Sequence, residues 1–105
     1  MRVAAVISDL MLFSRIEAAA RDATLVRVDR PADLSSDFDL VLVDWSAREP
    51  GWADALGALH AGRIVLFGRH TDLEAHAAAR AAGLGPMWAR SKLVAELPAL
   101  LPPSR

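Results

Sequence analysis

"DLVLVDWSAREP", residues 39 to 50, holds four consecutive aliphatic residues, Leu40 to Val43, and then Asp44 with no turn residue between. A short continuous apolar run of this kind fits a strand buried on both faces, as in a parallel sheet covered by helices. A carboxylate at the end of such a strand has two accounts. Either the chain reaches water at Asp44, or the strand serves in part to present the acid.

Working outward, apolar runs alternate with helical patterns. Val3 to Ile7 reads as a first strand, and from Leu12 to Ala23 the residues Phe13, Ile16, Ala20 and Ala23 recur at helical spacing. Thr24 to Val28 reads as a second strand. The stretch from Pro31 to Ser36 has room for only one or two helical turns. Phe38 to Val43 is the third strand, and Trp52 to Leu59 a short helix closed by Ala61-Gly62 as a C-cap. Arg63 to Phe67 is the fourth strand. Thr71-Asp72-Leu73-Glu74 has the pattern of a capping box opening a helix that stops at Gly83. Pro86 to Ala89 is a weak fifth strand. A last helix spans Leu93 to Leu101, with Pro98 expected to interrupt it or to open its second half.

Strands and helices alternating across short loops imply βαβ units with right-handed crossovers. The expected fold is α/β and flavodoxin-like: a doubly wound five-stranded parallel sheet in the order 2-1-3-4-5, with a short second helix. At 105 residues this is one domain, placed over residues 1–101 with a short tail at 102–105. A hydrophobic share of 53% supplies a core and excludes a disordered chain. A formal net charge of −1 gives no bulk field for nucleic acid or an anionic membrane, so neither is expected as a partner. Cysteine is absent, which removes disulfides, thiolate catalysis and thiolate metal sites together. No apolar run approaches the ~18 residues of a membrane span, and Ser8-Asp9 breaks the run at the start. A cytoplasmic location is the expectation.

In sheets of this order, ligands sit beyond the carboxyl ends of the strands, at the switch point between the first and third. Those two ends carry Ser8-Asp9 and Asp44. Two acids in one crevice disfavour each other's charge unless a cation lies between them. A hard divalent ion such as Mg²⁺ suits carboxylate and carbonyl ligands, and an aspartate beside it can attack a phosphoryl group.

These residues carry a resemblance that covers nearly the whole chain. "AVISDLMLFSRI" (5–16), "DLVLVDWSA" (39–47), "RIVLFGRH" (63–70) and "AAGLGPMWARS" (81–91) resemble the acidic-pair, phosphoacceptor, hydroxyl and lysine segments of bacterial response-regulator receiver domains. The resemblance implies Asp44 as the phosphoacceptor position and Ser8 and Asp9 as the acidic pocket. It places Gly68 and Met87 at the switch positions and Arg90 at the lysine. It also implies Asp9, Asp44 and the Ser46 carbonyl as metal ligands. The departures are plain: Ser8 replaces one acid, Gly68 lacks a hydroxyl, Met87 is not aromatic, and Arg90 binds phosphate with a different geometry from lysine. The chain therefore resembles a degenerate, stand-alone receiver, or pseudo-receiver, of a two-component system.

Simpler roles stand beside these. Asp44 can cap the loop that follows it, and Asp9 can accept amides at the start of the first helix. Arg90 is expected to pair with Asp44 or Asp9, its guanidinium replacing a metal and closing the pocket without phosphate. His60, His70 and His76 suit surface or helix-end positions. Core packing is the default for Trp45, Trp52 and Trp88, with a partly exposed binding surface the alternative for Trp45 beside the acid. Alanine in "AHAAARAA" (75–82) favours helix, and also permits a close partner helix. No GxGxxG or P-loop element follows the first strand.

The function expected from these residues and from the resemblance is a signal-transduction interaction module of receiver type. It docks to a protein partner independently of phosphorylation, is not an enzyme, and binds Mg²⁺ weakly if at all. Homodimerisation through the face of the fourth helix and fifth strand is a further option. The first alternative is a working receiver with Asp44 as nucleophile and Arg90 as phosphate clamp. The second is a small flavodoxin-like ligand-binding or phosphotransfer enzyme domain.

Overall fold

Strand β3 (Phe38–Asp44) is paired on both sides and buried at every position but Asp39. Its neighbours are β1 (Arg2–Val6) and β4 (Ala61–Gly68), and the outer strands are β2 (Thr24–Val28) and β5 (Trp88–Ala89). The computed structural model describes residues 1–35 and 37–102. All five strands are parallel, in the order β2-β1-β3-β4-β5. The fold is α/β and flavodoxin-like.

Alternation along β3 divides the core in two. Leu40 and Leu42 join Val3, Ala5, Val65 and Phe67 on one face, where α1 (Leu10–Ala19) and α4 (Arg90–Leu100) pack through Leu12, Ile16, Leu93 and Leu97. Val41 and Val43 join Ala4, Val6 and Leu66 on the other, against α2 (Trp52–Gly57) and α3 (Leu73–Ala81). A one-residue slip of β3 would exchange these two sets, so the register is held from both sides. The link between β2 and β3 holds one 3₁₀ turn, Pro31–Asp33, in agreement with a much reduced second helix.

Several boundaries differ from expectation, each for a local reason. Helix α1 starts at Leu10 because Asp9 caps it, and ends at Ala19 because the chain must turn through Ala20–Ala23 to enter β2. Ala61-Gly62 is not a C-cap: both residues already belong to β4. A Cβ at Gly62 would lie 2.8 Å from the Asp39 carbonyl oxygen, so the glycine permits two backbones to approach. Asp72, not Thr71, caps α3, accepting the Ala75 amide at 3.0 Å. The end of α3 is a Schellman turn, with Leu84 N–H on the Ala79 carbonyl, Gly83 N–H on Arg80, and Gly83 at φ +69°. Strand β5 is two residues rather than four, since Pro86 has no N–H and Gly85 turns away at φ +97°.

Pro98 neither breaks α4 nor opens a new helix; α4 runs unbroken from Arg90 to Leu100. Proline falls in the last turn, so its missing N–H removes one bond near the helix end. Burial of Leu93, Leu97 and Leu100, with the Leu101 amide on the Leu97 carbonyl at 2.8 Å, holds that turn. Leu101 is buried and Pro102 exposed, while the rest of the expected tail, 103–105, lies outside the described residues. Among the described residues no helix is long and apolar enough to cross a membrane.

Candidate functional site

The carboxyl edge of the sheet gathers Asp9, Asp44 and Arg90 from three separate elements. Asp9 follows β1 in extended conformation (φ −76°, ψ 104°) and caps α1. Its Oδ1 accepts the amides of Met11 at 3.0 Å and Leu12 at 3.2 Å. Asp44 is the last residue of β3, placed there by the buried run that precedes it, and its side chain is 10% exposed. Arg90 is the first residue of α4, where β5 delivers it to the same edge.

The guanidinium spans the two acids. Arg90 Nη1 donates to Asp9 Oδ2 at 2.8 Å, and Nη2 donates to Asp44 Oδ2 at 3.3 Å. A planar fork with several donors reaches two carboxylates at once, which a lysine ammonium does with less directional control. The Arg90 hydrogen bond, followed by the Leu12 amide, holds the Asp9 carboxyl below its ordinary range. The bond to Asp9 correspondingly raises Arg90. Both side chains are partly open to water, so solvent screens this attraction more than it would a buried pair.

Asp44 keeps one oxygen in reserve. Its Oδ1 is buried and has no hydrogen-bond partner among the described residues. The residue also borders a shallow cleft of about 410 Å³, with exposed Ser8, Asp29, Arg30 and Glu49 and the buried Trp52 around it.

The donor set fits a divalent metal poorly. Asp9 gives Oδ1 to two amides and Oδ2 to Arg90, and Asp44 gives Oδ2 to Arg90. Among the described residues no three His, Cys, Asp or Glu side chains group into a metal site. Where Mg²⁺ would sit between the two carboxylates, the structure has the guanidinium.

Gly68 and Met87 meet one another beside a third residue whose side chain the sequence did not single out. A Cβ on Gly68 would collide with Ser46 Oγ and lie 2.9 Å from Met87 Sδ. The Ser46 hydroxyl thus occupies the space that a hydroxyl residue at position 68 would take. It accepts the Arg69 amide at 3.0 Å, while the Ala75 amide, with a smaller contribution from the nearby Ser46 hydroxyl, lowers the Asp72 carboxyl. The expectation for Ser46 concerned its carbonyl; its side chain instead ties the loop after β3 to the start of α3. Only the adjacency of two loops far apart in sequence reveals this.

Met87 is buried in the same cluster as Trp45, and Trp88 packs on the opposite face. Trp45 is not a binding surface. It is 2% exposed, and its Nε1 donates to the Ala75 carbonyl at 3.0 Å. Of the histidines, His76 meets the His70 carbonyl at the edge of α3 and adds nothing to the acidic site.

No family model, curated protein or solved structure matches this chain.

Two outcomes follow from the geometry. Asp9 is ionised more readily in the folded chain than in the unfolded one. Its contribution is therefore complete above the ordinary carboxylate pKa of about 4 and lost as pH falls through the lower folded value. In Arg90→Ala, an NMR titration of the Asp9 carboxyl should move up toward the ordinary value, and urea stability should fall less steeply with acid. At neutral pH this variant should be less stable by about 1–3 kcal/mol, because Asp44 loses its charged donor. An unchanged Asp9 titration would mean that the Arg90 bond is not formed in solution.

For the Ser46–Gly68 contact, Gly68→Ala should cost about 1–3 kcal/mol through overpacking. The cost should shrink in a Ser46→Gly background, where the obstructing hydroxyl is gone. Equal costs in both backgrounds, measured by urea unfolding, would remove the proposed steric coupling.

Proposed function

We infer that this chain is a signal-transduction interaction module of receiver type, docking to a protein partner in the cytoplasm without needing phosphorylation. The observation that carries the reading is the Arg90 guanidinium held between Asp9 and Asp44. An acceptor aspartate works with a cation that shields incoming phosphoryl oxygens and with a site open enough to admit them. Here Asp44 is nearly buried and one of its oxygens is already engaged by a resident cation. The charge compensation that a metal would bring is supplied from within the chain.

The switch positions support the same reading. A ligand shifts a two-state equilibrium only by its differential affinity for the two states. Gly68 has no hydroxyl for a phosphate to attract, and the neighbouring Ser46 hydroxyl is already bonded to the Arg69 amide. Met87 is packed in the core, with no aromatic ring to relocate. The fold and its carboxyl-edge acids are kept, while the parts that would convert phosphate into movement are absent or occupied.

One observation favours a second reading, a working phospho-receiver. Buried polar atoms are nearly always satisfied, and Asp44 Oδ1 has no partner among the described residues. In that case Asp44 is the acceptor and Arg90 pivots from the carboxylates to the phosphoryl oxygens.

Beryllofluoride or acetyl phosphate with Mg²⁺ separates the two. The interaction-module reading expects backbone NMR shifts confined to the loops around Asp9, Asp44 and Gly68. Shifts spreading through α3 and β5, and abolished by Asp44→Asn, would establish the phospho-switch instead.

A further inference from the structure

Strand β4 is much longer than the strand that should cover it. It runs eight residues, Ala61–Gly68, but β5 pairs only with Phe67 and Gly68. Over Ala61–Leu66 the outer edge has no strand beside it among the described residues, and its open part is 61–64, since Val65 and Leu66 are buried. The register says which backbone groups are involved. Phe38 N–H donates to the His60 carbonyl at 3.1 Å, and Phe38 and Leu40 lie opposite Ala61 and Arg63. Gly62 and Ile64 therefore turn their amides and carbonyls toward β3, and Ala61, Arg63 and Val65 turn theirs outward. Among the described residues, no turn, loop or cap backbone group bonds to those three.

The chemistry beside this edge has a definite sign. Arg63 Cζ lies 5.6 Å and Lys92 Nζ 4.7 Å from the centre of the Trp88 ring, so two cations flank one aromatic. Both are exposed, and neither has an ion-pair partner among the described residues. Trp88 packs on the α1/α4 side of the sheet, so this is the charged side of the edge. On the other side lie the half-buried, apolar Ile64 and Leu84.

We propose that the outer edge of β4 receives an extended segment of a partner protein in which acidic and apolar residues alternate, added as a further strand. Successive side chains of a strand point to opposite faces. Acids at every second position would meet Arg63 and Lys92, and the residues between them would cover Ile64 and Leu84. Backbone pairing with the half-buried Ala61 and the exposed Arg63 supplies affinity, and the alternating side chains supply selection. A second copy of this chain is disfavoured at this edge, since antiparallel pairing of two β4 strands would bring Arg63 of each copy toward the other. Cations on an edge repel basic and apolar strands; an acidic strand is the class they admit. The proposal rests on the reading of the chain as an interaction module, but not on the chemical state of Asp44.

The test uses the full chain and a fluorescein-labelled peptide alternating glutamate and valine. Its comparators are the lysine–valine peptide and a glutamate–valine peptide methylated at the amides that would face β4. The unmodified acidic peptide should bind, slow hydrogen exchange at Ala61 and Arg63, and shift the Trp88 indole signal. The lysine peptide should not bind, and the methylated one should bind weakly. Arg63→Glu with Lys92→Glu should weaken the acidic peptide by at least about tenfold through like-charge repulsion, with circular dichroism unchanged. Equal binding of the methylated peptide would reduce the site to charge attraction and overturn strand addition. Absence of binding, or shifts at Asp9 and Asp44 in place of β4, would overturn it too. Neither result bears on the beryllofluoride response, so failure here is distinguishable from failure of the phosphorylation-independent reading.

Discussion

A guanidinium shared by two carboxylates is the interaction on which the carboxyl edge depends. Asp9 and Asp44 stand at the carboxyl edge beyond adjacent strands, and a single positive charge reaches both of them. Arg90 supplies it from the first turn of α4. Three elements distant in sequence, the start of α1, the end of β3 and the start of α4, are thereby tied at one point. The arrangement also explains the type of cation. The planar fork directs one nitrogen at each acid, and a single ammonium at the end of a flexible stem has no such fixed geometry.

The same edge contains a second, uncharged tie. Ser46, Arg69 and Asp72 connect the loop after β3 with the cap of α3, and Gly68 leaves the room they need. Each tie alone is a modest hydrogen-bonded contact. Together they brace the loops on both sides of Asp44. An edge held in this way suits a module whose surface is presented ready-made, whereas a switch requires two arrangements of nearly equal free energy.

Much of the fold was readable in the sequence because each local signal agreed with the next. Thr24 to Val28 emerged with unchanged bounds, and the run ending at Asp44 set the sheet centre. Topology then carried Asp9 and Asp44 to one crevice, since strand ends at a switch point are adjacent whatever the loops do. What escaped was tertiary. Pro98 reads as a helix breaker, but buried Leu97 and Leu100 outweigh one lost bond. Gly62 reads as a C-cap until the Asp39 carbonyl is seen against it. Ser46 gives no signal for its hydroxyl role, because that role exists only once Gly68 and Arg69 are brought beside it. The bare edge of β4 follows from Gly85 and Pro86 shortening β5, a consequence of two punctuating residues that pattern reading alone extended into a strand.

The most direct test of this account is a crystal structure grown in excess Mg²⁺, read at the space between Asp9 and Asp44. The account predicts that Arg90 Nη1 and Nη2 remain hydrogen-bonded to the two carboxylates, with any ordered Mg²⁺ elsewhere. A hydrated metal bound by Asp9 and Asp44, with Arg90 displaced into solvent, would contradict it.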